Sequence, residues 1–211
     1  MLNSRRLDVA VAAMMALAAV ITAWVTYQGS QWDSVSSDAK ADSSLLRADA
    51  GRAASDGVTQ SVVDATIWVE WEKSVTLNRD ELAGFLRDRF SPALDIAQDE
   101  WLRTEVLDVD GNPVDNTLPK GTPLDLDSYV PRGQVRAEAF AAEAETKLAE
   151  AAQAGETSTR YTLQAVLLAM VLFFGAVATK FADLRIQFGL TLVALGMMAL
   201  VAFRMAGLPV I

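Results

Sequence analysis

The chain has 211 residues, 52% of them hydrophobic, and its 27 acidic against 18 basic side chains leave a net charge of −9. It contains no Cys and no His. That excludes a disulfide framework, zinc sites of the Cys/His kind, haem ligation by His, and Cys–His or Ser–His–Asp nucleophile systems; His-based pH sensing near neutrality goes with them.

The apolar residues are segregated into three spans, Val9–Thr26, Tyr161–Thr179 and Ile186–Phe203. A bilayer core of about 30 Å takes roughly 17–25 helical residues at about 1.5 Å each, so each span has the length to cross it. The expected fold class is an all-α, three-span integral membrane protein with one helical extramembrane domain. The first span carries no charge. Arg5 and Arg6 before it, and Ala16-Leu17-Ala18 within it, have the form of a cleavable signal peptide. The apolar run continues through Val20, Ile21, Trp24 and Val25, so the span reads as a retained signal anchor.

Sidedness follows from Lys and Arg close to the span ends. Arg5 and Arg6 precede span one, and Lys180 and Arg185 lie in the short turn between spans two and three. Both places are cytoplasmic when the N-terminus is inside. The chain then divides into 1–27, the cytoplasmic N-terminus with span one; 28–160, an extracytoplasmic domain; and 161–211, a transmembrane hairpin whose far end is outside. Residues 28–160 hold 13 Lys and Arg against 25 Asp and Glu, a net of −12. An acidic outer domain is repelled by nucleic acid and by anionic lipid headgroups, so nucleic acid is not an expected partner.

Trp24, Gln28 and Trp32 are spaced i, i+4, i+8, with Tyr27 beside them, and Tyr161 opens span two. Trp24, Tyr27, Trp32 and Tyr161 therefore read as an interfacial aromatic belt, the level that amphipathic rings favour. Span one is rich in small residues. Ala12–Ala16 and Ala19–Ala23 are small-xxx-small pairs, and Gly175, Gly189 and Gly196 permit close helix approach elsewhere. Span one is therefore expected to pack on more than one side, against spans two and three and against a second copy. No span carries an acid or a base at mid-depth, which argues against a proton relay or an ion-coupled transporter.

Between Gln28 and Val75 there is no Pro, and Leu46, Ala50, Ala53, Val58, Val62, Ala65 and Val69 recur at helical spacing. A long helix continuing out of span one is expected, weakened at Gly51 and Gly57. Asn78 reads as the N-cap of a second helix, with Glu81 completing a capping box. Ser91-Pro92 reads as N-cap and first residue of a third. Four prolines punctuate residues 105–131, an excursion too long for an ordinary connection. From Arg132 the pattern is helical again, with Phe140, Ala144, Leu148 and Ala151 on one face and Glu143–Lys147 as an i, i+4 pair. The outer domain is thus a helical bundle of coiled-coil character, two long antiparallel helices with short helices at the far end. Trp68, Trp71, Phe85, Phe90 and Trp101 are its expected core.

Asp108-Val109-Asp110-Gly111-Asn112 has the first three ligand positions of a calcium loop. Pro113 occupies the sharp-turn Gly position and Pro119 the twelfth, where Glu belongs, so the segment reads as an Asp-Gly turn. Paired acids such as Asp99-Glu100 have nothing converging on them. No catalytic residue, metal site or cofactor is expected.

Trp24-x-x-Tyr27-Gln28-x-x-x-Trp32, Leu46-Arg47-Ala48-Asp49-Ala50, and Phe85-Leu86-Arg87-Asp88-Arg89-Phe90 followed by Trp101-Leu102 resemble a bacterial inner-membrane protein family of uncharacterised activity. Its members share one N-terminal span, a helical extracytoplasmic region and a closing two-span hairpin. The resemblance covers most of the chain on short motifs; it implies topology and a bacterial inner membrane and brings no catalytic residue. The expected function is an accessory, scaffold or sensory subunit whose partners are membrane lipid, other membrane proteins and a second copy of itself. The alternative is a homo-oligomeric, cation-favouring channel lined by span one.

Overall fold

The computed structural model describes residues 4–104, 118–181 and 183–211, with side chains from Asp8 onward except Leu184. The calcium-like run Asp108–Asn112 and the first part of the Pro-rich excursion lie outside the described residues, as do the Arg5 and Arg6 side chains. Every described element is helical: α1 Ser4–Thr76, α2 Asp80–Arg87, α3 Pro92–Leu102, a 3-10 turn Pro123–Asp125, α4 Arg132–Ala178 and α5 Leu184–Met205. Three of them, α1, α4 and α5, are long and apolar enough to cross a membrane.

Span one and the polar stretch after it are one helix, and neither Gly51 nor Gly57 interrupts it. Likewise α4 passes through Gly155 into span two. The end of α1 differs from expectation. Asn78 is not the N-cap of α2; it stands at φ 54°, in the left-handed region. Its N–H donates to Val75 O at 3.0 Å and the next N–H, of Arg79, donates to Ser74 O at 2.9 Å. This paired arrangement closes a helix C-terminus, and Asn tolerates the left-handed conformation better than other side chains. The residue preceding α2 is Arg79, whose side chain makes no capping bond. At α3 the expectation holds: Ser91 Oγ accepts from Leu94 N at 3.1 Å, with Pro92 in the first turn.

The chain divides into two compact units, Met1–Ser43 with Thr146–Ile211, and Ser44–Glu145. In the first unit Met14, Ala18, Val25, Tyr161, Leu168, Val171, Ala194 and Val201 form the core. Polar pairs of small residues extend it beyond the apolar spans. Ser158 Oγ donates to Gly29 O at 2.9 Å, and buried Ser36 Oγ donates to Ala151 O at 2.8 Å. At the other end Gln187 Nε2 donates to Asp8 Oδ1 at 2.8 Å.

The helix faces inside this unit are not those marked by small-xxx-small spacing. Ala12, Ala16, Ala19 and Ala23 are all exposed; Val11, Met14, Ala18 and Val25 are the buried positions. The packed row lies about 140° round the helix from the alanines. Gly189 and Gly196 face open space, whereas a Cβ on Gly175 would lie 2.9 Å from Met15 Cγ.

In the second unit Trp68, Trp71, Ala83, Leu94 and Trp101 are buried, and Phe90 packs against them. Trp68 stacks on Trp71 at 4.9 Å between centroids and meets Trp101 edge-on at 4.8 Å. Phe85 is a correction to the expected core. It is 52% exposed, with the Arg89 guanidinium 3.4 Å above its ring. On the eight-residue α2, Ala83 and Leu86 take the inward positions, and Phe85 falls between them on the outer side. Along α4, Ala144 and Ala151 are buried as expected, each in its own unit, while Leu148 is exposed and Lys147 pairs with Glu150 at 2.8 Å.

Gly133, at the start of α4, has no space for a side chain: an added Cβ would collide with the Gly57 backbone and Ala53 O. A Cβ on Gly57 would lie 3.0 Å from Gln134 N. Gly51 has nothing within 4 Å. Gly133→Ala is therefore expected to lower the melting temperature of the purified protein, at a cost of about 1–3 kcal/mol from overpacking. Gly51→Ala should raise it, by up to about 1 kcal/mol from helix propensity. Thermal melts of the two variants check the pair, and a rise for both would contradict the close approach.

Candidate functional site

In the second unit, α1 presents two opposed faces. The inner face runs Ala53, Gly57, Asp64, Trp68, Trp71, all buried. An acid in that row is unexpected, and its surroundings explain it. Asp64 is 2% exposed and its Oδ2 accepts from Ser91 Oγ at 2.6 Å, Tyr129 Oη at 2.8 Å and, at longer range, Gln60 Nε2 at 3.5 Å. Burying a carboxylate is costly unless donors replace its water, and these three neutral groups do so.

The network ties three segments together. Ser91 caps α3 while donating to Asp64, so one hydroxyl serves the helix terminus and the carboxylate. Tyr129 comes from the segment just before α4. Burial pushes its phenol up to about 12, the Ser61 hydroxyl draws it back, and the Asp64 carboxylate adds to the rise. With Asp64 closed to solvent and every donor neutral, the arrangement is a structural lock and offers no reachable acid–base pair. Among the described residues no group of three or more His, Cys, Asp or Glu could hold a metal ion.

The outer face of the same helix is apolar and uncovered. Val58, Val62 and Val69 are 66%, 62% and 57% exposed, with Ala65 half-buried between the last two. From Gly57 to Val69 the only charged residue is Asp64, and it points inward. A stretch of about 20 Å of helix thus lacks any exposed charge. The valines belong to the apolar row visible in the sequence. There it marks a helix, and the structure places Val58, Val62 and Val69 at the surface of that helix. The signal that could have separated the two faces is Asp64 itself, in phase with Gly57, Trp68 and Trp71.

In the first unit the aromatic residues divide into two groups. Trp24 and Tyr27 are 40% and 58% exposed, as interfacial rings would be. Tyr161 is fully buried, and Trp24 packs edge-on against it at 6.1 Å. Tyr161 and Trp32 hold the segment after α5: Tyr161 Oη donates to Pro209 O at 2.9 Å and Trp32 Nε1 to the same oxygen at 3.2 Å. Gln28 completes the clamp. Its Nε2 donates to Ile211 O at 3.0 Å, and its Oε1 accepts from Ile211 N at 3.2 Å. The Tyr161 ring packs within the helix bundle, and its hydroxyl fixes a main-chain carbonyl. Lys180 is exposed in the turn between α4 and α5, and Arg185 is exposed in the first turn of α5.

No family model, no curated protein and no solved structure matches this chain.

The phenol of Tyr129 titrates near 10 in an unfolded chain and about 12 in the fold. Its neutral form is favoured by folding, so its contribution is fully present below pH 10 and is lost as the pH rises from 10 through 12. Tyr129→Phe is expected to lower stability at neutral pH by about 1–3 kcal/mol, since a buried carboxylate loses a donor. It should also flatten the alkaline limb of the stability curve between pH 10 and 12. Denaturant melts across that range check both; an unchanged limb would mean that another group governs it.

Proposed function

We propose that this chain is a non-enzymatic subunit of a membrane assembly. Three spans anchor it, residues 28–160 lie on the extracytoplasmic side, and the outer face of α1 pairs with the same face of a second copy. The observation that carries the reading is the exposed Val58, Val62, Val69 row in a stretch with no outward charge. Ser44–Glu145 holds 10 Lys and Arg against 20 Asp and Glu, a net of −10. Two such units repel each other wherever their charges meet, and the neutral valine face is the place where they approach without that cost.

The spacing favours a second copy as the occupant. Val62 and Val69 are seven apart, with Ala65 between them and Val58 four residues before, the pattern of a coiled-coil seam. Val62 and Val69 take the a positions of that repeat, and Val58 and Ala65 the d positions. Copies inserted in the same sense in one bilayer present the face in parallel and in register. Co-anchoring also raises their effective concentration, which helps a short seam suffice. A bacterial inner membrane is the setting that the family resemblance implies. The exposed side of span one, Ala12, Ala16, Ala19 and Ala23, suits lipid or another helix better than a water-filled pore, which favours assembly over a channel.

The natural absence of Cys makes single-cysteine tests clean. Val62→Cys in native membranes is expected to oxidise to a disulfide-linked dimer, while Glu143→Cys, exposed on α4, should remain monomeric under the same oxidant. Val62→Glu with Val69→Glu should halve the mass of the detergent-solubilised particle and leave its helicity intact. A wild-type particle that is already monomeric, in detergent and by cross-linking in membranes, would defeat the self-pairing.

Orientation has its own check. A cysteine at Asp127 should react with an impermeant maleimide in intact spheroplasts, and one at Asp183 only after permeabilisation. The reverse pattern would invert the topology.

A further inference from the structure

A cleft of about 660 Å³ opens in the first unit between the span-one part of α1 and α5, with Leu168 of α4 at its floor. Leu17, Ile21 and Trp24 line it from α1, and Met198, Ala202 and Met205 from α5. The only polar atom on any lining side chain is the Trp24 indole nitrogen. We propose that this groove is a binding site for one acyl chain of a phospholipid, drawn from the leaflet on the Trp24 side. The proposal rests on the three-span membrane reading and is independent of self-pairing through the valine face.

Two observations favour a lipid chain over a partner helix. The first is composition. A partner helix in a bilayer is held by small-residue backbone approach or by interhelical hydrogen bonds, and apart from Ala199 and Ala202 this groove is walled by Leu, Val, Ile, Met and Trp. It has no hydrogen-bonding group below Trp24.

The second is polarity along the axis. Trp24 stands at one end of the α1 lining and Leu17 at the other, about 10 Å deeper. Trp24 is 40% exposed, packed edge-on against Tyr161, and Tyr27 beside it is 58% exposed. Amphipathic rings mark the headgroup level. A phospholipid with its glycerol at Trp24 would therefore run its chain down the groove towards Leu17, with its polar end at the polar end of the site.

The test uses the full chain, purified in mild detergent and examined by native mass spectrometry. One phospholipid per chain should survive a detergent exchange that strips the loosely held annulus. Ala202→Phe, which fills the groove from α5, should reduce the retained fraction at least tenfold while circular dichroism and carbonate-resistant membrane insertion stay unchanged. In proteoliposomes, a phosphatidylcholine brominated on its acyl chain should quench the Trp24 contribution, read as wild type minus Trp24→Phe, and Ala202→Phe should weaken that quenching. Should Ala202→Phe fail to insert, the quenching of the unmodified protein decides. Retention that Ala202→Phe leaves unaltered would mean annular lipid only and would overturn the site. So would a single-cysteine Ala202→Cys chain that links to a second copy, since the groove would then be a helix interface. Loss of carbonate-resistant insertion in the wild type would instead remove the membrane reading on which the site depends.

Discussion

Gly133 has no room for a side chain, and the organisation of the Ser44–Glu145 unit depends on that contact. With its backbone against Gly57 and Ala53, the start of α4 lies in close contact with α1. Close approach there brings the preceding segment, with Tyr129, down onto α1 at Asp64. Once Tyr129 and Ser91 converge on that carboxylate, α3 is capped and docked, and Trp101 meets Trp68. The aromatic core therefore sits beyond a polar lock, and the lock sits beyond a glycine crossing.

The same arrangement accounts for the surface. Asp64 is the one charge between Gly57 and Val69. Turning it inward satisfies the carboxylate with hydroxyl groups and leaves the uncharged face of the helix outward. Had α1 been turned the other way, Asp64 would face solvent and the valine row the interior. The buried network and the exposed valine face are thus two consequences of one rotation of α1.

In the unit formed by Met1–Ser43 and Thr146–Ile211, the comparable element is the clamp on the segment after α5. Gln28, Trp32 and Tyr161 satisfy the carbonyls of Pro209 and Ile211 and the N–H of Ile211. These groups lie just past the end of a helix, where backbone polar groups lack intrahelical partners and are costly to bury. Side chains from α1 and α4 supply the missing partners, which couples all three apolar helices at one end. Asp8 with Gln187 does the same for α1 and α5 at the other.

The sequence by itself determined the helical class, the three apolar spans, the continuation of α1 out of span one, the Ser91-Pro92 cap and most of the tryptophan core. Those features arise from local periodicity, capping chemistry and hydropathy, which are properties of short windows. Tertiary structure decided which of two helical rows on α1 is core. Val58, Val62 and Val69 and the row Gly57, Asp64, Trp68, Trp71 are both periodic, and only the glycine crossing and the donors to Asp64 select between them. It also decided that Asn78 ends α1 where a cap for α2 was expected, because the left-handed turn is set by how α2 docks on the tryptophan core. Phe85 turned outward and Ala12, Ala16, Ala19 and Ala23 stayed uncovered for a related reason. Periodicity specifies that a helix has a face, and the phase of that face is fixed by the elements that pack against it.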